Sequence, residues 1–379
     1  MSQNVHEPAP LRRRDFLRAL GVASAALLAG CTVPAVRPTG DPAPAAGAAP
    51  PQPIALPTPT LEPPAAAAAP APTAAPTETP KARVALVKTD NRAEGVRQAV
   101  ALFGAPAVAG KSIFLKPNYN SADPAPGSTH PEVLAALVEL LQAGRPSRIV
   151  LGDRSGMGDT RQVFQQTGVF DLAQQFNFEA MVFDELDADE WQHFSPPGSH
   201  WARGFALPKA LLQADAVVQT CCLKTHRFGG HFTLSLKNSV GLAAKSVPGE
   251  GYNYMGELHA SPDQRRMIAE INAAYTPSLI VLDGVEAFRS GGPDAGDKVA
   301  ANVVLAGSDR VAVDAVGVAL LRLLGTTPEV STGPLFSQEQ LGRAVELGLG
   351  VRSGEEIELV TGDDAGAAVA AQVRELLLA

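Results

Sequence analysis

A chain of 379 residues, 45% hydrophobic and 18% charged, can bury a sizeable core, and its formal charge of −8 gives none of the basic character that nucleic acid requires. Its three cysteines exclude a disulfide framework. They also exclude a cysteine-ligated iron–sulfur cluster, which takes about four thiolates.

In chain order, Arg13-Arg14-Asp15-Phe16-Leu17-Arg18 precedes a short apolar run from Ala19 to Ala29. That is the pattern of a twin-arginine export signal, and the run is too short for a permanent membrane span. Leu28-Ala29-Gly30-Cys31 resembles a bacterial lipobox. Residues 1–31 are therefore expected to be a signal, with Cys31 acylated as the mature N-terminus. The protein is expected to leave by the twin-arginine route and to be anchored on the outer face of the cytoplasmic membrane. That route carries folded cargo, which raises the chance of a bound cofactor without naming one. Residues 32–80 are a Pro/Ala/Thr tract that cannot bury enough apolar surface to fold, so they read as an extended linker.

Residues 81–379 alternate strand and helix patterns. A strand over Arg83–Lys88 leads to a helix over 92–103. The strand 112–115 ends at Lys116-Pro117-Asn118. Thr129 or His130 caps a helix that has Pro131 in its first turn and runs to about Ala143. The strand 148–153 ends in Asp153. Ser155-Gly156-Met157-Gly158 then reads as a plain turn or a weak phosphate cradle before a helix from Thr160. A strand over 178–183 precedes an acidic, irregular excursion over 184–206. The apolar run 216–223 predicts a strand buried on both faces, ending in Lys224-Thr225-His226. A Gly229-Gly230 bend, His231, and an apolar-periodic segment with Lys237 and Asn238 follow. Next come a Gly-rich stretch over 245–261, a helix over 262–274 and a strand over 278–282 closed by Asp283-Gly284. A glycine loop over 289–296, a strand over 302–306 and a helix over 311–324 follow, the helix capped at Ser308 or Asp309 with Asp314 inside. Helices over 338–347 and 365–378 flank a strand over 357–360. The alternation predicts an α/β fold: a mostly parallel sheet with helices on both faces, in a single large domain.

Several ordered motifs together resemble the family called domain of unknown function 362. They are Leu115-Lys116-Pro117-Asn118, Thr129-His130-Pro131-Glu132, Gly152-Asp153, Lys224-Thr225-His226, Thr233 and Leu236-Lys237-Asn238. Gly241, Asp283-Gly284, Gly291-Gly292-Pro293, Ser308-Asp309 and Ala312-Val313-Asp314 complete the set. The resemblance spans residues 82–379. It implies a fold and a list of positions, and names no reaction. Members of that family often carry a ferredoxin-like iron–sulfur module, which this chain lacks.

Lysine is costly at the carboxyl edge of a sheet unless paired, and ligands gather there in open α/β sheets. Lys116, Lys224 and Lys237 therefore predict a site for a small anion, helped by Asn118, Asn238, Asp283 and Gly292. Lys224, His226 and Asp153 are its candidates for chemistry, including proton transfer and lysine nucleophilicity. Lysines paired with Asp153 and Asp283 are the bland alternative. A second reading is a metal-dependent or redox-associated enzyme using His226, His231 and His259 with carboxylates. A third is a non-catalytic binding lipoprotein using the Tyr252–Tyr254 loop. Cys221 and Cys222 read as buried, inert thiols, and Asp309 as a helix cap.

Overall fold

The computed structural model describes residues 81–379; the expected signal, Cys31 and the linker lie outside the described residues. The strands are β1 (Ala82–Lys88), β2 (Ser112–Lys116), β3 (Arg148–Asp153), β4 (Glu179–Val182), β5 (Trp191–Phe194), β6 (Phe205–Pro208), β7 (Ala216–His226), β8 (His231–Thr233), β9 (Leu279–Gly291), β10 (Gly296–Gly307) and β11 (Ile357–Val360). The helices are α1 (Arg92–Phe103), α2 (Pro131–Ala143), α3 (Thr160–Gln166), α4 (Val169–Phe176), α5 (Lys209–Leu212), α6 (Ser235–Asn238), α7 (Tyr254–Ala260), α8 (Gln264–Ile271), α9 (Arg310–Leu323), α10 (Pro328–Ser331), α11 (Glu339–Glu346) and α12 (Asp364–Leu378).

The main sheet runs β11-β1-β10-β9-β7-β2-β3-β4, with β8 added to β7. Pairings are parallel from β9 through β7, β2 and β3 to β4, and between β1 and β11. β10 is antiparallel to both neighbours, and β8 is antiparallel to β7. The domain is α/β, mostly parallel and covered on both faces. Successive residues of β9 show the two-sidedness. Leu279 and Val281 pack with Val96, Leu134 and Leu137 of α1 and α2, whereas Ile280 and Leu282 pack with Val313, Val316 and Leu320 of α9. A strand sends alternate side chains to opposite faces, so each face needs its own helices. A third apolar cluster joins Phe114, Phe183, Trp191, Trp201 and Phe205 to Leu258 and Met267.

Local chemistry explains the helix starts. His130 Nδ1 accepts from the Glu132 amide at 3.2 Å, with Pro131 at the first helical position. Asp309 Oδ1 accepts from Val311 and Ala312 at the start of α9.

Four stretches differ from the sequence reading. β7 does not stop at Leu223. It runs to His226, because β8 folds back across Gly229-Gly230 and pairs Lys224 with Thr233 and His226 with His231. β9 does not stop before Asp283. It continues to Gly291 and forms a long hairpin with β10, so Asp283 sits within the strand opposite Val304. The acidic excursion holds the β5–β6 pair, with Trp201 Nε1 donating to the Met267 carbonyl at 3.1 Å. The Gly-rich stretch contains α7, capped by Asn253. No helix of the described residues is long and apolar enough to cross a membrane.

Candidate functional site

The carboxyl ends of β2 and β3 place Lys116 and Asp153 side by side. Their ion pair measures 2.8 Å, with both side chains almost fully buried. Lys116 Nζ also donates to Pro117 O at 2.5 Å and Asn238 Oδ1 at 3.1 Å. Asp153 accepts from the amides of Tyr119 and Arg154 at 2.9 and 2.8 Å. Burial lowers the pKa of Lys116 and raises that of Asp153, and their contact opposes both shifts. Gly241 closes over this pair. A Cβ there would collide with Asp153 Oδ1 and stand 2.9 Å from Lys116 Nζ.

Lys224 is wholly buried inside β7. Its ammonium donates to Asn118 Oδ1 at 2.8 Å and to the Gly127 carbonyl. Asn118 Nδ2 donates in turn to Asn238 Oδ1 at 3.2 Å, and Asn238 Nδ2 to Thr220 O at 3.1 Å. The two asparagines thus link Lys224 to Lys116. Lys237 lies on α6, whose first amides, Ser235 and Leu236, donate to Asp314 at 2.7 and 2.9 Å. Burial, then the charges of Lys224 and Arg154, bring the Lys237 ammonium down to about 7. Burial also drives the His226 imidazole far below its ordinary value, and Lys237 and Lys224 push the same way, so the ring is neutral.

These groups line one chamber of about 130 Å³. Its wall carries five basic side chains, Lys116, Arg154, Lys224, Lys237 and Lys245, against one carboxylate, Asp153. Two buried polar atoms on the wall have no hydrogen-bond partner: His226 Nδ1 and Thr233 Oγ1. Met157 and Phe228, exposed by 46% and 47%, also border the chamber.

Other candidates fall elsewhere. Asp283 receives Arg92 Nε at 3.0 Å, and Arg92 also reaches Glu286 at 2.9 Å, so Asp283 is neutralised outside the chamber. Gly292 shapes the β9–β10 turn at φ +59°, where a Cβ would collide with the Thr225 carbonyl, and Pro293 rather than Gly292 borders the chamber. His226 and His259 face the chamber. His231, in left-handed backbone at φ 62°, faces a second cavity with Arg227 and Glu329. Among the described residues no three His, Cys, Asp or Glu side chains are grouped to hold a metal, so the expected histidine trio is not assembled. The Ser155–Gly158 turn uses its amides internally, Ser155 on Thr160 Oγ1 and Met157 on Asn120 O, both at 2.9 Å. Tyr254 is buried, and Tyr252 packs on it and under Arg203, so the tyrosine loop presents no open aromatic patch. Cys221 and Cys222 are free and buried, and burial pushes the Cys222 thiol up to about 12.

The model of the family described as "Domain of unknown function (DUF362)" matches residues 113–319. The chain belongs to this family. The motifs around Lys116, Asp153, Lys224, Lys237 and Asp314 all lie inside the matched stretch. A relative, the thylakoid-associated protein sll1697 of Synechocystis sp., is 30% identical over 246 residues, which is 62% of this chain and 68% of that protein. Among solved structures, the lactate racemase apoprotein from Thermoanaerobacterium thermosaccharolyticum aligns with a TM-score of 0.40 at 16% identity, over 62% of this chain and 57% of that one.

Two basic groups of this family member's chamber escaped the sequence reading. Arg154 directly follows Asp153 at the tip of β3. Its guanidinium donates to the carbonyls of Val240 and Ala243 at 3.0 Å and of Ser155 at 3.2 Å. Its position at a strand end was the available signal. Lys245 gave no such signal, because it lies in an irregular Gly-rich stretch.

Proposed function

We propose that this protein is an exported, lipid-anchored member of its family whose chamber binds, and acts on, a small carboxylate or phosphate anion. One observation carries the reading: five basic side chains and a single carboxylate surround the chamber, and that carboxylate is already paired with Lys116. Lys245 is exposed, whereas Lys224 and Lys237 are buried with no carboxylate partner among the described residues, and an anionic ligand supplies the missing charge. Lys224 and Lys237 hold the anion. Neutral His226 offers its unpartnered Nδ1 to the ligand as a hydrogen-bonding group, and Asp153 fixes Lys116. The anchoring part rests on Arg13-Arg14 and Cys31.

Titration calorimetry of the full chain with inorganic phosphate and with acetate tests the chamber. Lys224→Met removes a buried, charge-assisted contact and weakens binding by about 2 kcal/mol, roughly thirtyfold. Unchanged affinity in that variant would remove the assignment.

A further inference from the structure

The three buried lysines differ in how their donors are used. An ammonium has three N–H groups. Lys116 directs them to Asp153, Asn238 and Pro117. Lys224 directs two, to Asn118 and Gly127, and keeps one. Lys237 has no acceptor among the described residues, and its surroundings are burial and two repelling cations. Its side chain lines the chamber, 7% exposed. The same chamber holds the two unpartnered polar atoms, His226 Nδ1 and Thr233 Oγ1. Gly230 brings the amine and the imidazole together. A Cβ at Gly230 would collide with Lys237 Cε and lie 3.1 Å from His226 Nδ1, so both groups flank one bare glycine.

We infer that Lys237 is a nucleophile that forms an imine with the carbonyl carbon of a small 2-oxo acid, whose carboxylate takes the remaining N–H of Lys224. This deepens the anion-binding reading above and rests on it. The Nζ lone pair makes the C–N bond while the carbonyl π pair moves to oxygen. Both protons of the amine pass to that oxygen, through solvent, and the oxygen leaves as water. No oxidant or reductant is needed. A lysine titrating near 7 offers at neutral pH on the order of a thousandfold more free amine than an ordinary lysine. Size agrees too. A cavity of about 150 Å³ holds a benzene-sized molecule, so this chamber takes roughly six heavy atoms, the size of pyruvate.

The test incubates the full chain with pyruvate, or with glyoxylate, and sodium cyanoborohydride. Intact mass and peptide mapping then locate any reduced adduct. The expected result is one adduct per chain at pH 7, on the Lys237 peptide, diminished by excess phosphate and absent in Lys237→Arg. Mapping the unmodified sequence places the adduct even if that variant does not fold. Adducts spread over surface lysines, with yield climbing only toward pH 10, overturn the inference. So does displacement of bound phosphate by pyruvate with no adduct at Lys237, an outcome that leaves anion binding intact. Absence of measurable binding by phosphate, acetate and pyruvate alike overturns both readings.

Discussion

Lys237 is the residue through which pH acts on the chamber. Its folded value lies at about 7, because burial and two neighbouring cations disfavour the charge, whereas an unfolded lysine titrates near ~10.4. The unfolded chain therefore holds the extra proton between those values. Stability from this residue is complete above the unfolded value and is lost as pH falls through about 7. The stability of the wild type relative to Lys237→Met should rise over that window as pH rises, read from melting curves of the two. An anion that needs the ammonium shows the opposite trend. Its affinity is full below about 7 and falls roughly tenfold per pH unit above it. Binding near neutrality should then take up protons, measurable as heats that change with the buffer's ionisation enthalpy. Gly241 is the second decisive residue. Gly241→Ala places a methyl group against the Lys116–Asp153 pair and is expected to cost about 3 kcal/mol in denaturant unfolding.

Elements that follow hydrophobic periodicity were legible in the sequence. β2, β3, α1, α2, α9 and β11 stand within about two residues of where the pattern put them, the ordinary uncertainty of element ends. The sequence misled where a charged residue lies inside a strand. Lys224 looked like the end of β7, and Asp283 the end of β9, because a charge in an apolar run normally marks a surface. Each is buried through a partner distant in the chain: Asn118 and Gly127 for Lys224, Arg92 for Asp283. Single-strand patterns carry no trace of such partners. The same limit hid the histidines' separation, which depends on the left-handed backbone at His231. The three lysines were visible as candidates, Arg154 could have been from its place at the end of β3, and Lys245 became visible only through the folding of its segment. The ion pair gives a clean element-level prediction. Arg92→Met leaves Asp283 buried without its cation and is expected to destabilise the domain by about 3 kcal/mol, while phosphate affinity stays unchanged because Asp283 lies outside the chamber.

At the scale of the whole molecule, the chamber collects side chains from β2, β3, β7, β8, α6, α7 and the β9–β10 turn, segments spread from residue 116 to residue 293. No single stretch could hold an anion alone, so the site exists only once the sheet has closed around β7. The proposed anchor belongs to this scale as well. Cys31→Ala is expected to abolish incorporation of radiolabelled fatty acid and to shift the protein from the membrane fraction to the soluble one. Labelling that persists in the variant would exclude Cys31 as the acceptor.

The sheet order has one more consequence. β1, the first strand to emerge during synthesis, finds its partners only in β10 and β11, which come from the last part of the chain. Until β10 has been made, the domain's leading strand has no neighbour to pair with, and its second edge waits for β11. Any truncation that removes the tail also leaves the opening strand with a bare edge.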